Sequence, residues 1–287
     1  MSASAVVPGH LYVVATPIGN LADLSPRAQA VLAAVDRVCA EDTRTSGALL
    51  AHFGIRRPLL AMHEHNEDQI AATLVQALRS GQSLALVSDA GTPLISDPGF
   101  ALVRAARAAG LPVIAIPGPC AAVAALSIAG IASDSFVFIG FLPSRSGARR
   151  ARLQELATET RTLIFYESSH RIAESVRDIA DILGGTRRLC LARELSKLYE
   201  ESITAPAAEV VTWLAQDTNR ERGEFVLVVE GAPAQTGADD AEAERVLKIL
   251  LAELGAAQAA RLAAAITGRR KNELYALANT LGAADTD

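Results

Sequence analysis

The run Ser88-Asp89-Ala90-Gly91-Thr92-Pro93-Leu94-Ile95-Ser96-Asp97-Pro98-Gly99 gathers small side chains, turn formers and two carboxylates directly after the apolar segment Leu84-Ala85-Leu86-Val87. Ser88, Ala90 and Gly91 carry almost no bulk, so backbone groups there can approach a ligand closely. Asp89 adds an acceptor at the carboxyl end of what reads as a strand, where open α/β sheets bind their ligands. The chemistry this implies is that of an enzyme holding a small molecule or a cofactor.

Other residues able to do chemistry lie on either side of this loop. His63-Glu64-His65 lacks the spacing of a zinc-hydrolase motif and offers two histidines without a third ligand, so no metal is expected. Glu41-Asp42 with Arg44 reads either as an ion pair at a helix start or as part of a site. Arg145, Arg149, Arg150 and Arg152 cluster after Phe141-Leu142-Pro143, and Arg269, Arg270 and Lys271 form a second cluster. Each cluster is either a solvated helix face or a place where phosphates are neutralised. No two glycines are separated by a single residue, no Gly-Lys pair occurs, and Gly-x-Ser-x-Gly is absent. Dinucleotide-fingerprint, P-loop and serine-hydrolase chemistries are thereby disfavoured.

The elements that must position these residues alternate strand with helix. Apolar strands are expected at 11–15, 37–40, 59–62, 84–87 and 113–116, with helices from Pro26 and at 46–53, 68–79 and 100–109 between them. Ser25-Pro26 supplies a cap followed by proline at the first helical position. Such alternation predicts a mostly parallel sheet covered on both faces. The second half repeats it, with strands at 136–141, 162–166, 188–192 and 224–229 and helices beginning at Arg149, Ile172 and Ala207. A polar linker at 232–238 leads into an Ala- and Leu-rich tail of two or three helices with turns at Gly255 and Gly268. The expected division is an α/β domain over 1–120, a second over 121–234 and a small helical, helix-turn-helix-like domain over 239–287.

Bulk composition bounds the rest. The chain has 287 residues, half of them hydrophobic but only 4% aromatic, so its cores must be built from Ala, Val, Leu and Ile. A net charge of −5 argues against general nucleic-acid binding while leaving room for local basic patches. Cys39, Cys120 and Cys190 lie far apart, which fits a reducing cytosol and gives no zinc framework. The first residues lack a signal peptide's basic start and apolar run, and the apolar stretch at 111–132 is broken by prolines and glycine, so neither secretion nor a membrane span is expected. A cytoplasmic protein is the expectation.

Eight segments in order identify a resemblance. They are Ala15-Thr16-Pro17-Ile18-Gly19-Asn20-Leu21, Glu41-Asp42-Thr43-Arg44-Thr45, His63-Glu64-His65-Asn66-Glu67, the loop from Ser88 to Gly99, Ile116-Pro117-Gly118-Pro119, Phe165-Tyr166-Glu167-Ser168-Ser169-His170-Arg171, Ala192-Arg193-Glu194-Leu195-Ser196-Lys197, and Gly223-Glu224-Phe225-Val226. Over roughly residues 10–231 the chain resembles the bacterial small-subunit ribosomal RNA methyltransferases that methylate the ribose 2′-oxygen of a cytidine in 16S RNA. These are S-adenosylmethionine-dependent members of the tetrapyrrole-methylase superfamily, and the tail resembles their helical C-terminal domain.

The resemblance implies two α/β domains with the cofactor in the cleft between them, a homodimer, and small-subunit RNA or the 30S subunit as partner. Carried over by motif, the cofactor positions are Pro17, Ser88, Asp89, Ala90, Ile95, Cys120, Ala121, Glu167 and Glu224. The family usually has serine where Cys120 stands, so a contact there would run through the backbone. A ribose hydroxyl needs its proton drawn toward a base, and Asp42, Glu64, His65 and Asp97 are the candidates, with Glu64 favoured. Arg44 and Asn66, with Arg145, Arg149 and Arg150, are the candidate RNA contacts. Two alternatives remain at this stage: a methylase of a tetrapyrrole or a protein side chain, and a non-catalytic RNA-binding assembly factor.

Overall fold

The computed structural model describes residues 6–63, 66–233 and 236–284. The chain divides into two compact units, Met1–Ala232 and Pro233–Asp287. The first holds two five-stranded sheets, and the described residues of the second form three helices.

The first sheet is built from β1 (Leu11–Val14), β2 (Arg37–Ala40), β3 (Leu59–Ala61), β4 (Leu84–Val87) and β5 (Val113–Ile116) in the order β3-β2-β4-β1-β5. Every pairing is parallel. The connections are α1 (Pro26–Ala34), α2 (Thr43–His52), α3 (Glu67–Arg79) and α4 (Phe100–Ala108). The Ser25 hydroxyl accepts from Ala28 N with Pro26 at the first helical position, as its sequence predicts. Helix α2 starts three residues earlier than its apolar pattern suggests, because the Asp42 carboxylate caps it through Arg44 N. One face of the sheet buries Val14, Val31, Leu32 and Val38, and the other buries Leu11, Leu74, Leu84 and Leu102. The carboxyl ends of the neighbouring strands β1 and β4 open side by side, so the loops at 15–20 and 88–99 face the same space.

The second sheet comprises β6 (Phe136–Phe141), β7 (Thr162–Ser168), β8 (Arg188–Arg193), β9 (Glu201–Pro206) and β10 (Glu224–Val229) in the order β6-β7-β10-β8-β9. Here the strand–helix alternation misleads. β6 and β7 are parallel, but β10 inserts antiparallel between β7 and β8, and β9 returns antiparallel along β8. β9 is absent from the sequence reading because Glu-Ser-Ile-Thr-Ala-Pro holds a single large apolar residue, enough for an edge strand and too little for an apolar run. Helices α6 (Ser146–Glu155), α7 (Ile172–Leu183) and α8 (Ala207–Ala215) cover one face, whose core includes Leu153, Phe165, Val176 and Leu227. Helix α5 (Ala121–Ile128) covers the other, packing Ala122, Ala125 and Leu126 against Ile164, Ala192 and Val228.

The helical unit contains α9 (Thr236–Leu251), α10 (Ala256–Thr267) and α11 (Lys271–Ala284) around its own small-residue core of Ala243, Leu247, Ala259, Ala260, Ala263 and Leu274. Gly255 and Gly268 stand at the turns, as expected. No helix among the described residues is long and apolar enough to cross a membrane.

Candidate functional site

Within the first unit, loops of the two sheets enclose a cavity of about 300 Å³. From the first sheet come Ile18 after β1 and Ala90, Gly91, Thr92, Ile95 and Asp97 after β4. From the second come Phe141, Tyr166, Glu167, Lys197 and Glu224, with Ala121 supplied by α5. Loops after β1 and β4 are tied together by a reciprocal bridge, Thr16 N donating to Gly91 O at 2.8 Å and Gly91 N to Thr16 O at 3.1 Å. The Thr92 hydroxyl donates to Pro119 O at 2.9 Å and fixes the same loop to the start of α5. Leu94 and Ser96 on one side, and Glu194 and Ser196 on the other, hold left-handed backbone conformations at φ 72°, 65°, 51° and 63°. Non-glycine residues occupy that region at a cost met where surrounding structure over-determines the loop.

The electrostatics of the cavity are dominated by acids. Burial pushes the Asp97 carboxyl up to about 6; the Ser88 hydroxyl bonded to it pulls the other way, while Glu41 and Asp89 reinforce the rise. Burial, helped by Asp89, also raises Glu41. Glu167 has no solvent exposure in its side chain and is held by the Ser175 hydroxyl at 2.6 Å and the Arg171 guanidinium at 2.7 Å. A second cation besides Arg171, Lys197 lines the cavity, its Nζ donating to Glu224 Oε2 at 2.8 Å and Glu194 Oε1 at 2.9 Å. Burial lowers its pKa, but those two carboxylates outweigh burial and keep the amine protonated. Such a lining suits a ligand that carries net positive charge with at least one anionic group.

The sequence-predicted residues distribute unevenly. Ala90, Ile95, Ala121, Glu167 and Glu224 line the cavity. Ser88 is buried behind it, its hydroxyl 3.4 Å from the Ala90 and Gly91 carbonyl oxygens. Pro17 is buried within the bridged loop, and Asp89 points away, its Oδ1 accepting from Asp42 N at 3.1 Å. Cys120 stands at the N-cap of α5, its side chain making no capping hydrogen bond, and lines a neighbouring pocket of about 420 Å³.

Among the polar candidates, Asp42 is held by Arg44, whose guanidinium and backbone N–H lower its pKa to about 2. A carboxyl so depressed is a poor base, and the same carboxylate caps α2 by accepting from Arg44 N. Arg44 is 90% exposed beside it. Asn66 closes the turn into α3, accepting from His63 N at 2.9 Å and donating to Ala61 O at 3.2 Å. Glu64 and His65 lie outside the described residues. Among the described residues no group of three His, Cys, Asp or Glu is arranged to hold a metal ion.

The arginine cluster divides. Arg149 is 1% exposed and its guanidinium binds Asp178 at 2.7 Å and Glu174 at 3.0 Å, so as a phosphate ligand it is corrected to an internal ion pair. Arg150 pairs with Asp178 and Asp181. Arg145 is exposed, with no side-chain partner among the described residues. The sequence reading gave no role to Lys197, Phe141 or Tyr166. A signal for the first existed: Lys197 is the lone lysine before residue 248 in a chain whose other cations are almost all arginine.

Residues 10–211 match the family described as tetrapyrrole (corrin/porphyrin) methylases, and residues 237–282 match the RsmI C-terminal HTH domain. The chain is 56% identical to ribosomal RNA small subunit methyltransferase I of Xylella fastidiosa (strain Temecula1), the match covering 93% of this chain and 98% of that one. It is likewise 56% identical to the protein of that name from Pseudomonas aeruginosa (93% and 95%) and 55% identical to that from Escherichia coli O157:H7 (93% and 93%). Among solved structures, the methyltransferase CobJ superposes with a TM-score of 0.58 at 19% identity over 78% of this chain and 95% of that one. Uroporphyrin-III-C-methyltransferase from Thermus thermophilus superposes with a TM-score of 0.52 at 20% identity, over 77% and 94%. At that distance the likeness is one of fold.

Proposed function

The chain belongs to the tetrapyrrole methylases and, within them, to the ribosomal RNA small subunit methyltransferase I family, and from that premise we propose that it methylates the ribose 2′-oxygen of a cytidine in small-subunit (16S) ribosomal RNA. The observation that carries this reading is similarity above half over 93% of the chain, reaching into the helical tail. S-adenosylmethionine, when bound, supplies a methyl group already activated on a sulfonium. The cavity fits it: Asp97 and the exposed Glu224 set negative potential against a sulfonium and an ammonium, Lys197 offers a cation to a carboxylate, and Ile18, Ile95 and Val226 give apolar wall.

The protein's own work is then alignment and proton handling. Fixed loops on both sides of the cavity hold the reacting groups in line, an effect worth about 7–11 kcal/mol in well-oriented reactions. Glu64, in the connection from β3 to α3, takes the hydroxyl proton in this proposal, since Asp42 is committed to Arg44. Arg145 binds phosphate. A homodimer is supported by exposed apolar side chains at Val123 and Ile128 on α5 and at Leu198 and Tyr199 after β8, beside the 420 Å³ pocket. A cytoplasmic location follows from that substrate and accords with three free cysteines.

The test is incubation of the protein with labelled S-adenosylmethionine and unmodified small ribosomal subunits, followed by mapping of the labelled nucleoside. Label on a cytidine ribose is expected. Absence of transfer from folded protein that binds the cofactor would reject the substrate.

A further inference from the structure

Phe141 is 53% exposed, yet it lies on the cavity wall, meeting the Tyr166 ring edge-on at 5.7 Å. Its position is the product of a β-bulge. Along β6, Phe138 pairs with Ile164, but the register then slips so that Gly140 pairs with Phe165 and Phe141 with Tyr166. Strict alternation would group Phe141 with Val137 and Ile139, whose side chains pack under the helices on the far face. The extra residue turns Phe141 onto the face of Tyr166 and the cavity instead.

The bulge is specific in its demands. Gly140 sits at φ 76°, and a Cβ there would stand 2.8 Å from Ser96 Oγ of the opposite loop. The chain therefore departs from regular strand geometry and leaves a large aromatic half in water at the cavity mouth. Four residues on stands Arg145, a cation without a partner among the described residues. An open aromatic face followed by a free cation matches a base and its adjoining phosphate, the pairing by which unstacked RNA is held.

We infer that Phe141 is the platform on which the nucleobase of the substrate nucleotide stacks, so that it sets the position of the ribose at the cavity. The inference rests on the RNA reading above and deepens it. It calls for an aromatic at this position and not merely an apolar side chain.

The experiment compares wild type, Phe141→Leu and Phe141→Trp in methyl transfer from labelled S-adenosylmethionine to unmodified small subunits, with calorimetry of cofactor binding alongside. Phe141→Leu should raise the KM for subunits about 5-fold or more, the scale of one lost base–aromatic stack, and leave the cofactor Kd unchanged. Phe141→Trp should restore KM, and its indole fluorescence should be quenched when subunits are added. An unchanged KM in an active Phe141→Leu protein overturns the inference alone, and so does a weakened cofactor Kd, which would place Phe141 against the cofactor. Wild-type protein that methylates no subunit overturns the RNA reading and this inference with it.

Discussion

Arg149 Nε donates to Asp178 Oδ2 at 2.7 Å between α6 and α7, with both side chains at least nine-tenths buried. A guanidinium so placed matches the planar carboxylate geometry it prefers and is withdrawn from solvent. The basic run of which it is part thus serves two ends: Arg149 and Arg150 bind the helices of the second sheet together and Arg152 pairs with Glu155, while Arg145 has no side-chain partner among the described residues.

Replacing Arg149 with alanine should cost about 3 kcal/mol, because it strands the Asp178 carboxylate with Arg150 as its remaining partner. Urea unfolding of the variant measures this. A loss below about 1 kcal/mol would mean that water reaches Asp178 and satisfies it.

Asp97 makes stability and ligand binding respond to pH in opposite directions. Its folded pKa, pushed to about 6 chiefly by burial, lies above the 3.8 of an exposed aspartate. Between those values the folded state holds the proton more tightly, so stability falls as pH rises through the window. Asp97→Asn should therefore gain stability relative to wild type from pH 4 to pH 6, with a constant difference outside that range. Over the same interval wild type should bind S-adenosylmethionine more tightly as the carboxylate ionises, whereas Asp97→Asn should bind weakly at every pH. Parallel calorimetry and denaturation series check both.

Much of this architecture is legible from residue patterns because its cues are local. Leu84 to Val87 declares a buried strand, Ser25-Pro26 a helix start, and the small residues of 88–91 a loop that approaches a ligand. The less legible features depend on partners distant in the chain. Nothing near Arg149 announces that Asp178, 29 residues later, will neutralise it. The face on which Phe141 emerges is set by a register slip against β7, and β10 enters its sheet between strands formed earlier in the chain.

Lys197 should not tolerate arginine. Its stem runs against Gly19, where φ is 154° and any Cβ would collide with Lys197 Cγ, while its ammonium bridges Glu194 and Glu224. A planar guanidinium on a longer arm cannot reproduce that point-charge bridge in the same space. Lys197→Arg should lower kcat/KM at least ~10-fold, the scale of one charged hydrogen bond. Thermal melting should change little. Full activity in Lys197→Arg would show that charge alone matters at this position.

Glu64 and Asp42 are separable by substitution. Glu64→Gln should reduce turnover at least ~100-fold with cofactor affinity intact, the scale of a lost general base. Asp42→Asn retains a capping side chain, so α2 should persist and turnover should fall only modestly. Single-turnover transfer with saturating cofactor distinguishes them. A larger chemical defect in Asp42→Asn would return the base role to Asp42 despite its pairing with Arg44.

Arg145 is the remaining test of how an acidic protein holds a polyanion. Each phosphate neutralised by a cation releases counterions, so the slope of log affinity against log salt counts the contacts made. With Arg149 and Arg150 paired internally and Arg152 paired with Glu155, the cluster should contribute one such contact. Arg145→Ala should reduce the slope by about 0.7–0.9, the value for a single phosphate. Arg150→Ala should leave the slope unchanged, since its charge is already matched by Asp178 and Asp181. Filter binding to small subunits between low and moderate salt measures both slopes. If Arg150→Ala shifts the slope as far as Arg145→Ala does, the ion pairs at α7 open when RNA arrives, and the cluster acts on phosphate as a group.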